Sequence, residues 1–351
     1  MAAATSRSPV GFCNRTRLPA EKDKKKKRKP VPVFSSFPIV LDVGLRIAIF
    51  GQAAFGRDAA LAVAEAGHQV VGVFAPPAGS RPDPLAELAI ERGWPLVRHR
   101  HFRRKGEAIA ERVDEYRAVG ADLNLMPFTT VFLPPEIVAA PEHGSLCFHP
   151  SLLPAFRGGA ALAWQIILGA KETGVSVFRP DEGVDTGPLL VQKGGVRIAP
   201  RDTAGSLYFK KLYPLGQEAL AQAVALVARG EAVLRPQPEE GASFQGLVGE
   251  DEAQIDWSLP GEQVDRLIRG CDPQPGAHTR MRGESARLFG SAFYPGDPKA
   301  EPGTVLAAEG PVLRVVTRGG TLEVAKLRLG SGAKGAATEV GLEPGERFGG
   351  D

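Results

Sequence analysis

His149 and Asp185 are the two residues of this 351-residue sequence whose type and setting best fit chemistry. His149 ends the apolar run 144–149, and Pro150 and Pro154 stiffen the backbone after it, so a rigid loop would hold the ring. Asp185 lies in a second polar loop that glycines flank. A carboxylate that meets an imidazole orients it, and such a pair can transfer a proton. The two residues predict an acid–base site if their loops converge; the alternative is a histidine that only packs.

The elements that would position these loops alternate between apolar strands and helices. The first strand, 45–51, is a short apolar run typical of a buried parallel strand, and Asp83-Pro84 indicates the N-cap and first turn of a helix. We predict further strands at 69–75, 94–97, 121–126, 144–149, 174–178 and 188–191, and helices at 57–66, 106–119, 158–168 and 203–228. This alternation predicts an α/β fold with a doubly wound, mostly parallel sheet. His149 would then lie at the carboxyl edge, where open α/β sheets bind ligands.

A second, smaller domain follows the residues 235–241, Arg-Pro-Gln-Pro-Glu-Glu-Gly, which are typical of an extended linker. One helix near 261–269 and several short strands after it predict a small β-barrel. We therefore divide the chain into five segments: a basic extension (1–44), a catalytic domain (45–234), a linker (235–246), the barrel domain (247–335) and a loose tail (336–351).

Composition excludes several classes of protein. With 43% hydrophobic and 24% charged residues, the chain is ordinary for a globular protein and unlike collagen, a coiled coil or a disordered chain. No apolar stretch approaches the roughly 20 residues of a membrane helix. The three cysteines form no CxxC or CxxxH pair, so we expect neither a disulfide framework nor a metal site.

Positive charge is concentrated at the start of the chain. Residues 1–44 hold ten Lys or Arg and three Asp or Glu, which leaves 33 basic and 37 acidic residues, a net −4, for residues 45–351. The run Lys24–Lys29 is most simply a solvated tail, with a nuclear-type signal or a nucleic-acid contact as alternatives. We expect a cytoplasmic protein, with organelle targeting by residues 1–44 left open.

The glycine-rich loop after the first strand argues against a nucleotide. In Gly51-Gln-Ala-Ala-Phe-Gly56 the second glycine of a dinucleotide fingerprint is replaced by Ala53, and no acidic residue follows the second strand to bind a ribose. We predict a tight strand-to-helix turn and no nucleotide cofactor.

The segment His149-Pro-Ser-Leu-Leu-Pro154 with Arg157-Gly158, followed by Asp185-Thr-Gly187, resembles the folate-dependent formyltransferase superfamily. Within it the sequence is most similar to the amino-terminal hydrolase domain of 10-formyltetrahydrofolate dehydrogenase, and it is also methionyl-tRNA formyltransferase-like. Similar stretches continue through the linker, at Pro236–Ala242, and into the second domain, so that the resemblance covers about residues 45–330.

This resemblance implies roles for particular residues. His149 and Asp185 would be the catalytic pair. Val131, Phe132 and Leu133, together with the loop that reaches Asp185, would bind the folate, largely through backbone groups. The substrate would be 10-formyltetrahydrofolate, and neither a metal nor a nucleotide would be needed. Without the resemblance, an apolar stretch such as 131–133 is more often core than binding site.

One departure from the transferase pattern concerns the acceptor of the formyl group. The transferases usually carry Asn two residues before the histidine, where this sequence has Cys147, and a thiol is a weaker hydrogen-bond donor than an amide. The hydrolase domain also lacks that asparagine. We therefore predict hydrolysis of 10-formyltetrahydrofolate to tetrahydrofolate and formate. Cys147 itself is interpreted as a small strand residue, with an oxyanion-pocket role or a nucleophile as less favoured alternatives.

Two other functions stay open. One is transfer of the formyl group to methionyl-tRNA, which would require a phosphate-binding surface and salt-sensitive binding. Residues 45–351 are slightly acidic, so for methionyl-tRNA binding only the extension 1–44 offers a basic run. The other is an inactive folate- or RNA-binding module.

Overall fold

The first domain is built on strands, most of which are apolar and rich in β-branched or aromatic residues. These strands are β1 (Arg46–Phe50), β2 (Gln69–Ala75), β3 (Leu96–Arg98), β4 (Arg103–Arg104), β5 (Glu107–Ala108), β6 (Leu123–Met126), β7 (Ser145–His149), β8 (Glu172–Phe178) and β9 (Leu189–Arg197). In the computed structural model, which describes residues 44–349, seven of them pair in the order β3-β2-β1-β6-β7-β8-β9, and β4 pairs with β5.

This central sheet is mostly parallel. β3, β2, β1, β6 and β7 run in one direction, whereas β8 and β9 are each antiparallel to their neighbours. The carboxyl ends of the five parallel strands therefore share one edge, and His149 is the last residue of β7 at that edge. This arrangement confirms the predicted fold class for the first domain.

Helices cover both faces of the sheet. They are α1 (Ala53–Glu65), α2 (Pro84–Arg92), α3 (Ala110–Arg117), α4 (Pro135–Val138), α5 (Ala161–Ile167), α6 (Ala204–Leu207) and α7 (Tyr213–Ala228), with a π-helical turn at Tyr208–Leu212. Alternate residues of β1 point to opposite faces, as a strand requires. Ile47 and Ile49 pack in the cluster that contains α1 and α7, and Ala48 and Phe50 pack in the cluster that contains α3 and α4.

The second domain is an antiparallel sheet with one helix. Its elements are α8 (Gly261–Gly270), β10 (Ala277–Met281), β11 (Glu284–Pro295), β12 (Val305–Glu309), β13 (Val312–Thr317), β14 (Gly320–Leu329), β15 (Gly335–Ala336) and a 3-10 turn at Ala337–Val340. The strands pair in the order β10-β11-β14-β13-β12, and β15 pairs with β14. The antiparallel second domain agrees with the predicted class.

Residues 345–349 connect the two edges of this second sheet. Gly345 and Phe348 donate backbone hydrogen bonds to Val305 and Gly303 beside β12, and Gly349 donates to Arg280 on β10. Phe348 is only 1% exposed and its ring stacks on Trp257. Composition predicts a loose tail over 336–351, but this segment is packed up to Gly349 because Phe348 supplies an apolar anchor that the surrounding Gly and Glu residues obscure in the sequence.

No helix within residues 44–349 is long and apolar enough to span a bilayer. The basic run Lys24–Lys29 and the rest of the predicted extension up to residue 43 lie outside the described residues.

Candidate active site

The end of β7 holds His149 in a buried position. β7 pairs with β6 on one side and with β8 on the other, where His149 lies opposite Ser176. The Ser176 hydroxyl donates to the carbonyl of Ser151 at 2.7 Å and accepts from the backbone N–H of Leu153 at 3.2 Å. Because β8 thus fixes the first residues of the following loop, the His149 side chain is held at the sheet edge, and the residue is 5% exposed.

His149 and Asp185 come into direct contact, as the predicted convergence of the loops requires. Nδ1 of His149 lies 3.4 Å from Oδ2 of Asp185. The other ring nitrogen, Nε2, lies 2.8 Å from the carbonyl oxygen of Phe156. A carbonyl can only accept, so Nε2 carries the proton in that bond. Nδ1 is therefore the nitrogen left to exchange a proton with the carboxylate.

The loop that carries Asp185 is sharply bent between β8 and β9. Asp185 has a positive φ of 56°, and Oδ1 of Asp181 accepts hydrogen bonds from the Gly183 N–H and the Thr186 hydroxyl. At Gly187 a Cβ would lie 1.8 Å from the carbonyl oxygen of Arg179, so only glycine fits. These contacts turn the chain back over β7 and direct the carboxylate toward the histidine.

A backbone group completes the pair. The N–H of Gly158 donates to Oδ2 of Asp185 at 2.7 Å, the same oxygen that faces His149. Gly158 has a φ of 106°, a conformation that side chains rarely adopt. The loop after β7 therefore binds the carboxylate through its backbone as well as presenting the imidazole.

Cys147 lies two residues before the histidine on β7 and is half-buried. Its side chain packs both against the cluster that contains Met126 and Leu133 and against the cluster of Leu153, Phe178 and Leu189. Burial, and to a smaller extent the negative charge of Asp185, raises the pKa of the Cys147 thiol well above its usual range. The thiol therefore stays protonated at neutral pH, which argues against the nucleophile alternative.

The predicted folate-binding segment leaves the carboxyl end of β6, the strand next to β7. Val131 is half-buried, Phe132 is 72% exposed and Leu133 is buried. Val131 lines a small cavity with Phe128, at the ends of β1, β2 and β6. Among residues 44–349 no hydrogen bond joins 131–133 to His149 or Asp185, so the segment follows the neighbouring strand at the same sheet edge and is not hydrogen-bonded to the pair.

The glycine-rich loop after β1 is occupied by the protein itself. Oδ2 of Asp83 accepts from the N–H of Ala53, at the start of α1, at 2.6 Å, while Oδ1 of the same residue caps α2 through the N–H of Ala86. A carboxylate thus stands where a phosphate would bind a helix N-terminus. Within the described residues, no group of three or more His, Cys, Asp or Glu side chains is arranged to hold a metal ion.

Four contributors to the site were given no role in the sequence-based prediction. They are the carbonyl of Phe156, the N–H of Gly158, and the linker residues Gln237 and Ser243, whose contacts are described below. A glutamine between two prolines, Pro236 and Pro238, was a signal available in the sequence, because the prolines stiffen the backbone that holds this polar side chain.

Comparison with family models gives matches over both domains. The model described as formyl transferase matches residues 45–224, and that of the formyl transferase C-terminal domain matches residues 248–341. The chain belongs to the formyl transferase family. The family resemblance predicted from the motifs around His149 and Asp185 is therefore confirmed.

Individual members of the formyl transferase family resemble the chain to different extents. Mitochondrial 10-formyltetrahydrofolate dehydrogenase of Mus musculus is 40% identical over 289 residues, which cover 82% of this chain and 31% of the relative; the chain thus spans about a third of that protein. Methionyl-tRNA formyltransferase of Variovorax paradoxus is 33% identical, over 87% of this chain and 99% of the relative.

The fold of this family member is also found in solved structures. The crystal structure of HypX from Aquifex aeolicus in complex with tetrahydrofolic acid superposes with a TM-score of 0.63 at 21% identity, over 84% of this chain and 46% of HypX. At this level of identity the likeness supports the fold, which agrees with the mixed sheet and the antiparallel second domain.

Proposed function

We propose that this chain hydrolyses 10-formyltetrahydrofolate to tetrahydrofolate and formate, with His149 and Asp185 as the catalytic pair. The contact between Nδ1 of His149 and Oδ2 of Asp185, at the ligand-binding edge of the sheet, is the observation that supports this most directly. Membership of the formyl transferase family and the similarity to a 10-formyltetrahydrofolate dehydrogenase supply the substrate class.

The reaction has a simple balance of bonds and protons. A water oxygen bonds to the formyl carbon, the proton that leaves the water passes to the His149–Asp185 pair, and the carbon–nitrogen bond breaks as the pair delivers a proton to the folate nitrogen. Asp185 would orient the water or the imidazole, and His149 would polarise the formyl oxygen and deliver the proton to the departing nitrogen. The Gly158 N–H supports this scheme because it holds the carboxylate against the ring.

The folate would bind along the same edge, beside Val131, Phe132 and Leu133 and the loop of Asp185. The backbone between β6 and α4 follows the strand that pairs with β7, and a folate bound along it would direct its formyl group toward the pair. In this proposal the only partner is the small-molecule folate, and no metal or nucleotide takes part.

Water is preferred as acceptor because of Cys147. A protonated, weakly donating thiol in place of an amide would stabilise an oxyanion less well, as the resemblance to the hydrolase domain implies. The second candidate is formyl transfer to methionyl-tRNA, which the alignment over 99% of a methionyl-tRNA formyltransferase favours. We place the protein in the cytoplasm, with mitochondria as the alternative because one relative carries that location in its name.

The test is formate release from 10-formyltetrahydrofolate by the parent chain and by two variants. We expect His149→Ala and Asp185→Asn each to lower kcat by about 10²–10⁴-fold, the usual loss for a general acid or base. His101→Ala, at an exposed histidine outside the site, is the matched control and should retain the parent rate. Formate release by His149→Ala at the parent rate would overturn the proposal.

The acceptor is tested separately with the same enzyme. Formate and tetrahydrofolate are measured with and without methionyl-tRNA, at low and high salt. Hydrolysis predicts equal formate and tetrahydrofolate in the absence of any amine. Formylated methionyl-tRNA as the main product, in amounts that fall with salt, would favour the transferase instead.

A further inference from the structure

We infer that Gln237 and Ser243, in the segment between the two domains, are positioning residues for the His149–Asp185 pair. The inference rests on the proposed function, since it concerns the rate of the reaction that the pair would carry out. It assigns to the linker a part in the active site, beyond joining two domains.

Gln237 binds the loop that carries the carboxylate. Its side-chain Nε2 donates to the backbone carbonyls of Asp185 at 2.8 Å and of Gly187 at 2.7 Å. Its Oε1 accepts from Nε and Nη2 of Arg157 at 3.2 and 2.9 Å. One side chain therefore connects the loop of Asp185 with the loop that follows His149.

Ser243 binds the loop that contacts the imidazole. Its hydroxyl oxygen accepts from the N–H of Phe156 at 2.8 Å, and the carbonyl of Phe156 is the group that binds Nε2 of His149. The Ser243 backbone adds two further bonds, from its N–H to the carbonyl of Pro154 and from the N–H of Arg157 to its own carbonyl. This pairing fixes both peptide groups on either side of Phe156.

The bound loops have conformations that they would not keep unaided. Asp185 has a φ of 56° and Phe156 a φ of 60°, in the left-handed region that costs energy for residues with a side chain. At Gly158 a Cβ would lie 2.1 Å from the carbonyl oxygen of Gln245, so the linker backbone also occupies the space beside the N–H that binds Asp185. Strained residues persist when their surroundings hold them, and here the surroundings are the linker.

A change in rate follows from this arrangement. A displacement of about 1 Å at a reacting group can cost about 100-fold in rate. Among its hydrogen-bond partners in the described residues, Ser243 contacts backbone groups of the loop after His149, so its loss should lower kcat while KM for the folate changes little. Gln237 also holds the backbone of the Asp185 loop, which the proposed function places beside the folate, so its loss should lower kcat and raise KM.

The experiment uses the full chain and compares paired variants. Gln237→Ala and Ser243→Ala should lower kcat for formate release by about 10–100-fold, and Ser243→Ala should leave KM within about threefold of the parent. Ser243→Thr keeps the hydroxyl and should recover most of the rate. Gln237→Glu keeps an oxygen for Arg157 but presents a carboxylate to two carbonyls, so it should be no better than Gln237→Ala. Glu240→Ala, at an exposed position of the same linker, is the control with the parent rate.

The outcomes separate this inference from the proposed function. Loss of activity in His149→Ala with an unchanged kcat in Gln237→Ala and Ser243→Ala overturns the positioning role alone. A raised KM at the parent kcat overturns it as well, because the linker would then bind substrate. Equal losses in Ser243→Ala and Ser243→Thr, with circular dichroism showing both unfolded, also count against it. Full activity in His149→Ala removes the proposed function, and this inference with it.

Discussion

Cys147 stands beside the proposed catalytic pair, His149 and Asp185, and could be mistaken for its nucleophile. The residue lies on β7 two positions before His149, between two apolar clusters. Its pKa is raised by burial and by Asp185, so the reactive thiolate is disfavoured where a nucleophile would need it. The residue instead fills space at the sheet edge and offers at most a weak donor.

We therefore expect Cys147→Ala to keep formate release within about fivefold of the parent, since only a weak hydrogen bond and a small volume are lost. Alkylation of the parent by iodoacetamide at pH 7 should be slow at this residue, because the protonated thiol reacts poorly. Steady-state kinetics and mass spectrometry of the alkylated peptide provide the two measurements. Abolished activity in Cys147→Ala, with the fold intact, would restore the nucleophile interpretation.

At this scale the sequence identified side chains better than backbone groups. His149 ends a predicted strand and Asp185 lies in a predicted glycine-flanked loop, both carry ionisable side chains, and the structure brings their side chains to within 3.4 Å. The carbonyl of Phe156 and the N–H of Gly158 could not be predicted in the same way, because every residue carries such groups. Only the fold decides which of them point into the site.

At the scale of elements, Asp83 links the starts of two helices. One oxygen accepts from Ala53 on α1 and the other from Ala86 on α2, so a single carboxylate satisfies free N–H groups of both helices. Its negative charge also lies at the positive ends of both helix dipoles. The sequence predicted the cap of α2 from Asp83-Pro84, but the bond to Ala53 joins segments 30 residues apart and was not predicted.

Asp83→Ala should lower the free energy of unfolding by about 2–3 kcal/mol, since each lost cap costs about 1 kcal/mol and the dipole contact adds to it. Urea denaturation followed by circular dichroism measures this. Asp114→Ala, which removes an exposed partner of Arg117 on α3, should cost less than about 0.5 kcal/mol. If Asp83→Ala and Asp114→Ala had the same free energy of unfolding, the two hydrogen bonds of Asp83 would contribute nothing to stability.

The helices and strands were predicted well where apolar residues follow a regular pattern or a glycine marks the end of an element. β2 is observed at Gln69–Ala75, as predicted, and Gly93 ends α2 in the left-handed conformation. The reversed direction of β8 could not be predicted because apolar runs look alike in either direction. The π-helical turn at Tyr208–Leu212 was likewise hidden, since the apolar pattern continues through it into α7.

At the scale of the whole molecule, a buried ion pair joins the two domains. Arg269 and Asp265, both on α8, are each buried, and Nε of Arg269 lies 2.7 Å from Oδ2 of Asp265. Arg269 also donates from Nη1 to the carbonyl of Asp202 in the first domain at 2.9 Å, while the Ser291 hydroxyl donates to Asp265. The i,i+4 spacing predicts a pair on one helix face, but burial depends on the neighbouring domain, which no local pattern contains.

Removing one charge of this pair should lower the free energy of unfolding more than removing both charges does. Arg269→Met leaves the carboxylate of Asp265 buried without its cation, and we expect a loss of about 3–5 kcal/mol in the free energy of unfolding. Arg269→Met combined with Asp265→Leu should recover most of that loss, because no unpaired charge stays in the interior. Arg229→Met, which breaks an exposed pair with Glu231, is the control and should cost less than about 1 kcal/mol. Equilibrium urea denaturation of the four proteins decides the matter: a double variant less stable than Arg269→Met alone would mean that the individual hydrogen bonds to Asp202 and Ser291, rather than the compensation of charge, account for the stability that these two residues contribute.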